Sequence, residues 1–215
     1  MIQKQNQLTD TPFAHYSAIY RTLDPGEIAA RTALAFDRET SSFAFTLMGE
    51  KYRASFPDFA LIDAASGQTA QRSHEGILIL RYLCAGKHVA ATGQAVAYSE
   101  IPWGDAYLAN FRHRVIARLA REFGGRLDVL RSVMETMPEL CAERLEKCDL
   151  GYRFLFMSGL FAHLLFWQGD DEFPASAQIL FDDNFKYAFT AEDIAVSGDI
   201  IVSRLKRMCA NGKRP

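Results

Sequence analysis

The stretch that decides the fold is Tyr152-Arg153-Phe154-Leu155-Phe156-Met157-Ser158-Gly159-Leu160-Phe161-Ala162-His163-Leu164-Leu165-Phe166-Trp167. Two aromatic-rich apolar runs flank Ser158-Gly159, a dipeptide suited to a tight turn, so the spacing predicts a hairpin of buried strands. Ser158, Gly159 and His163 interrupt the run, which is too short and too broken to span a bilayer. Working outward, the same signature recurs upstream. Phe43, Phe45 and Leu47 alternate with small or polar residues, and so do Tyr52, Ala54 and Phe56 after Gly49-Glu50. This is a second hairpin, closed by Pro57-Asp58 and followed by a short extension at Phe59 to Ile62. Further strands are expected at Ala95 to Ile101 and Gln178 to Phe181.

Helical spacing fills the remainder. Thr11-Pro12 opens a first helix whose apolar stripe is Phe13, Tyr16, Tyr20 and Leu23. Asp24-Pro25-Gly26-Glu27 starts a second, expected to reach about Phe36. A third runs from Ser73 to Gly86. The clearest begins at Asp105, with Leu108, Phe111, Val115, Leu119 and Phe123 on one face and Gly124-Gly125 at its end. Leu127 to Thr136 forms a shorter helix, and Glu139 to Cys148 reads equally as helix or loop. Thr190 caps the last helix, with Asp193 placed as in a capping box and Ile194, Ile201, Leu205 and Met208 as its buried side; Lys213 and Arg214 sit near its end. Strands cluster as hairpins rather than as βαβ units. The fold class is therefore α+β: an antiparallel or mixed sheet built from hairpins, with helices packed against it.

The 215 residues fit one domain, residues 1–215, with residues 1–10 a flexible N-terminal tail. Basic and acidic side chains number 24 and 26, a balance that offers no electrostatic case for nucleic acid or an anionic membrane. The first ten residues are polar and lack the apolar segment of a signal peptide, so a cytoplasmic protein is expected. Cys84, Cys141, Cys148 and Cys209 form no CxxC pair, which argues against a zinc knuckle. Glycine-rich phosphate loops, HExxH, GxSxG and EF-hand patterns are all missing.

What stands out is the acidic corner after the second hairpin: Asp170, Asp171 and Glu172 between Trp167 and Phe173-Pro174, then Asp182 and Asp183 after Ile179-Leu180-Phe181. Were the two strands to end together, these carboxylates would gather at one end of the sheet and raise one another's pKa unless a cation joined them. Three uses of the corner follow. It is a binding surface for a ligand, cofactor or partner around Trp167, Asp170, Asp171, Glu172 and Asp182, with His163 and Arg112 in reach. Alternatively it is a divalent-metal site in which Asp170, Glu172 and Asp182 hold Mg²⁺, Ca²⁺ or Mn²⁺ and His163 serves as the base of a hydrolase. In the third, the acids only fix the fold, paired as an Asx turn, a cap, or with Arg112 or the Arg114, Arg118 and Arg121 face. His163 shares a strand face with Leu165 and Trp167, which also suits a hydrogen-bonded core histidine. His15, His74 and His88 suit surface or cap positions. Pro102-Trp103-Gly104 is expected to plug the end of the core, and Phe173 and Pro174 to serve as core and turn.

Gly169-Asp170-Asp171-Glu172-Phe173-Pro174-Ala175-Ser176, Ile179-Leu180-Phe181-Asp182 and Ala191-Glu192-Asp193-Ile194-Ala195 resemble the C-terminal signature of an uncharacterised prokaryotic family, known chiefly from anaerobes as a domain of unknown function. The likeness covers roughly residues 25 to 205. Some members look fused to iron–sulfur domains of the kind found with corrinoid proteins. The resemblance therefore implies an accessory domain in the company of an iron–sulfur or corrinoid partner protein. No cluster-binding cysteine segment is present, so no bound iron–sulfur cluster is expected in this chain.

Overall fold

The computed structural model describes residues 12–69 and 74–211. The expected N-terminal tail, the helix starts at Thr11 and Ser73, and Lys213 and Arg214 lie outside the described residues. Among these, the strands form one nine-stranded sheet, antiparallel in every pairing. In chain order they are β1 (Ala35–Asp37), β2 (Ser42–Leu47), β3 (Glu50–Ser55), β4 (Leu61–Asp63), β5 (Ala95–Ala97), β6 (Glu143–Arg144), β7 (Leu150–Met157), β8 (Leu160–Trp167) and β9 (Ser176–Asp182). Across the sheet the order is β4-β3-β2-β7-β8-β9-β5, with β1 on β2 and β6 on β7 as short flanking pairs.

Both expected hairpins are present, the first turning at Met48-Gly49, one residue before the expected Gly49-Glu50, and the second at Ser158-Gly159. Met48 and Gly49 have φ of 46° and 83°, and Ser158 and Gly159 have 39° and 82°. Two consecutive positive-φ residues are what a two-residue turn needs to match the twist of its strands. The two hairpins join narrowly: β2 meets β7 only at Leu47↔Met157, reinforced by the Met48 N–H donating to Phe156 O at 2.8 Å.

The helices are α1 (residues 12–20), α2 (Pro25–Thr32), α3 (His74–Ala85), α4 (Gly104–Phe111), α5 (Ala117–Phe123), α6 (Leu127–Thr136), α7 (Phe185–Ala188) and α8 (Ala191–Asn211). The Asp24 carboxylate accepts from the Glu27 N–H at 3.0 Å, capping α2. That helix stops at Thr32 rather than near Phe36, because Ala33 turns left-handed and Phe36 pairs with Phe43 in β1. The expected strand from Ala95 ends at Ala97, where Tyr98–Glu100 make a 3-10 turn held by Glu100 accepting from the Ala97 N–H. The undecided segment 139–148 is neither helix nor plain loop: a 3-10 turn, Pro138–Leu140, leads into β6. Thr190 and Asp193 form the expected capping box on α8.

Period-two alternation then sorts the central strands. Phe154, Leu164, Phe166 and Phe181 are fully buried on the face that carries the helices, where Phe123 meets Phe166 and Phe111 meets Phe181. The other face carries Arg153, Phe161, His163, Leu165 and Asp182. Two expectations fail on exposure. Trp103 does not plug the core but is 84% exposed, and Phe173 is 67% exposed. No described helix is long and apolar enough to cross a membrane.

Candidate ligand groove

The acidic corner is taken apart by the topology. Since β8 and β9 are antiparallel neighbours, with Trp167↔Ser176 at one end and Ala162↔Phe181 at the other, the two acidic runs lie at opposite ends of β9. Six residue steps put Asp170 and Asp182 about 20 Å or more apart. They cannot share a metal ion with Glu172, and among the described residues no three His, Cys, Asp or Glu side chains converge to hold one.

Each acid has a local use instead. Asp170 closes an Asx turn, its Oδ1 accepting from the N–H groups of Glu172 at 2.9 Å and Phe173 at 2.7 Å. These backbone donors hold its carboxyl below the ordinary value. Asp171 and Glu172 are exposed beside it. Asp183 accepts from the N–H and Oγ1 of Thr92, both at 3.0 Å. Asp182 is fully buried and sits between two partners: His163 Nε2 at 2.7 Å from Oδ1 and Arg153 Nη2 at 2.6 Å from Oδ2. Burial pushes the Asp182 carboxyl up, but hydrogen bonds from His163 and Arg153, and the Arg153 charge, outweigh it and hold it below its usual range. Arg153 also lies 3.7 Å above the centre of the Phe161 ring and reaches Glu143. The arginine that meets the acids is therefore Arg153, not Arg112 or the Arg114 to Arg121 face. Its signal was in the sequence: a cation between Tyr152 and Phe154 in a strand otherwise apolar.

Besides His163 and Asp182, two more of the singled-out residues come onto one cleft. Trp167 at the end of β8 and Arg112 after α4 line the same groove, about 470 Å³, between the helices and the start of β9, which β5 does not cover. Its space comes from small side chains: Ala97, Ala117, Ala120, Ala175 and Ala177 all contribute to the walls. Behind them Tyr98 stacks on Phe111, ring centres 4.1 Å apart and nearly parallel, and donates its hydroxyl to Ala191 O at 2.8 Å. Burial pushes the Tyr98 phenol up to about 12, so it stays a donor. The acidic turn ends at Ala175, on the rim. Arg112 is exposed and, among the described residues, its side chain has no hydrogen-bond or ion-pair partner.

The wall that carries Arg112 is not a plain α-helix. Arg112–Ile116 is a π-helical segment joining α4 to α5, and the Ala117 N–H bonds back to Arg112 O. The cause lies in the spacing of Phe111, Val115, Leu119 and Phe123, all buried. Three turns at 3.6 residues take about 11 residues, whereas these anchors span one residue more, and a single π turn absorbs the excess. From above, α8 closes on the segment at Gly198, where an added Cβ would come within 2.9 Å of Val115 Cγ1 and 3.0 Å of Phe111 Cε2. Such insertions occur frequently at functional sites.

An open antiparallel sheet, helices on one face and an alanine-walled groove beside β9 place the protein in the α+β class. Within it, the chain belongs to the family described as a domain of unknown function (DUF3786), which matches residues 24–204. No curated protein and no solved structure matches the chain.

Proposed function

We propose that the protein is a non-catalytic binding domain whose groove takes a small organic ligand with a flat apolar body and one anionic group. The supporting observation is that Trp167 and Arg112, which has no side-chain partner among the described residues, line one alanine-walled groove of about 470 Å³. That volume lies in the range of small-molecule sites, which combine apolar walls with few polar groups. Trp167 supplies a ring face for the flat body and Arg112 a forked donor for the anion. An iron–sulfur or corrinoid partner, the company implied by the family resemblance, would approach the rim, where Trp167 and Phe173 remain exposed.

The test uses 1-anilinonaphthalene-8-sulfonate as probe, in a Trp103→Phe background so that Trp167 is the sole tryptophan. Saturable binding with quenching of Trp167 is expected. Arg112→Gln should weaken it by roughly tenfold or more, the usual worth of a charge-assisted hydrogen bond, and Ala117→Leu should occupy the space and abolish it. Binding unchanged by Ala117→Leu would place the probe elsewhere and sink the reading.

A further inference from the structure

A second cleft, also about 470 Å³, lies between the π segment with α5, the middle of α8 and the first described residue of α3. Its walls carry His74, His113, Arg114, Arg118 and Arg121 against one carboxylate, Asp199. In a chain whose net charge is -2, this is a strong local excess.

The internal pairing leaves much of it unspent. Arg114 is bound to Asp199. Among the described residues Arg118 donates only to the neutral Ser203 hydroxyl, at 3.1 Å. Arg121 has no ion pair among the described residues, and neighbouring Glu122 is held by Lys206 at 2.9 Å. Two guanidinium charges therefore remain available, with two imidazoles beside them.

The π segment assembles the set. On a regular α-helix His113 and Arg118, five residues apart, would point about 140° from each other. The i to i−5 bond from Ala117 to Arg112 widens that turn and brings both onto one wall.

We infer that this cleft binds a multiply charged phosphate group of a small molecule, with Arg118 and Arg121 as its principal contacts and His74 and His113 as additional donors. Guanidinium forks match phosphate oxygens two at a time, which a single charge or a flat basic surface does not offer. The site is separate from the alanine-walled groove and stands or falls independently of it.

Isothermal titration of the full chain with pyrophosphate, inorganic phosphate and a short single-stranded oligothymidylate tests the assignment. Pyrophosphate should bind saturably at one site and more tightly than phosphate. The double variant Arg118→Gln/Arg121→Gln should weaken it by about tenfold or more, with an unchanged thermal melt. Arg38→Gln, an exposed cation elsewhere, should leave the affinity as it is. Absence of saturation at about 5 mM pyrophosphate, equal weakening by Arg38→Gln, or tighter binding of the oligonucleotide overturns it.

Discussion

Replacing Arg204 by alanine should cost the protein a large share of its stability. Among the described residues Arg204 is the largest fully buried side chain, 1% exposed on α8. Its Nε donates to Glu75 Oε1 at 2.8 Å, Nη1 to Glu50 Oε2 and to Leu47 O, both at 2.9 Å, and Nη2 to Tyr52 Oη at 2.7 Å. One guanidinium thus ties α8 to α3 and to the β2–β3 turn. Its removal takes the guanidinium donor from both Glu75 and Leu47 O, while Glu50 keeps Arg207 at 2.8 Å. Breaking a buried pair from one side costs about 3–5 kcal/mol, set against a total of about 5–15 kcal/mol for a typical protein. At about 2–4 °C per kcal/mol for a chain of this size, the melting temperature should fall by about 6–20 °C. Urea unfolding followed by circular dichroism gives the number. A second comparison isolates the cause: Arg204→Met/Glu50→Gln/Glu75→Gln should recover part of what Arg204→Met loses, because removing both signs of charge spares the burial of an unpaired one. Should Arg204→Ala stay within about 1 kcal/mol of the parent, or the triple variant gain nothing, the network is not what anchors α8.

Two further outcomes follow from geometry already described. Asp182 titrates below its ordinary value when folded, so the stability it contributes is present above about pH 4 and is lost as pH falls through the folded value. Asp182→Asn should cost about 2 kcal/mol near pH 7, and that cost should shrink in urea titrations repeated toward pH 3; a cost independent of pH would contradict the pairing. Asp193 and Asp199 are pushed upward by burial and work in the opposite sense, so acidification does not weaken the fold through them. Gly198→Ala adds about 1 kcal/mol of helix preference but crowds Val115 and Phe111, at about 1–3 kcal/mol. It should therefore destabilise on balance and lower the groove's affinity for the naphthalene sulfonate, whereas Gly125→Ala, with open space around it, should do neither.

The sequence carried the hairpins and most helices because their signals are local. Met48-Gly49 and Ser158-Gly159 sit where only a positive-φ turn fits, and Leu127 to Thr136 was bounded by residues that act within a few positions. The candidate site was read less well, and the reason is geometric. Asp170 and Asp182 are close in sequence, yet one antiparallel strand of seven residues lies between them and sends them to opposite ends of the sheet. Trp167 and Arg112 are far apart in sequence, and only the folding of the long helix beside β9 brings them together. The π segment is half legible: Phe111, Val115, Leu119 and Phe123 mark one face, but steps of four also suit an ordinary amphipathic helix, so the spacing alone does not reveal the widened turn. Arg153 is hard to read because a lone cation in an apolar strand does not say which carboxylate it will meet, and Asp182 lies two strands away on β9.

The narrow join between the hairpins also bears on how the chain assembles. Leu47 meets Met157 and Ala97 meets Leu180, two closures between residues far apart in the chain. Each hairpin forms quickly by itself, but the sheet is complete only when both of these distant closures are made, and such non-local pairing is slow. During synthesis the end of β2 that β1 leaves uncovered, Phe45 to Leu47, must wait until β7 has left the ribosome. For that interval an apolar strand edge stays open to other chains, so crowded expression at high temperature should favour aggregation of nascent protein over damage to the finished fold.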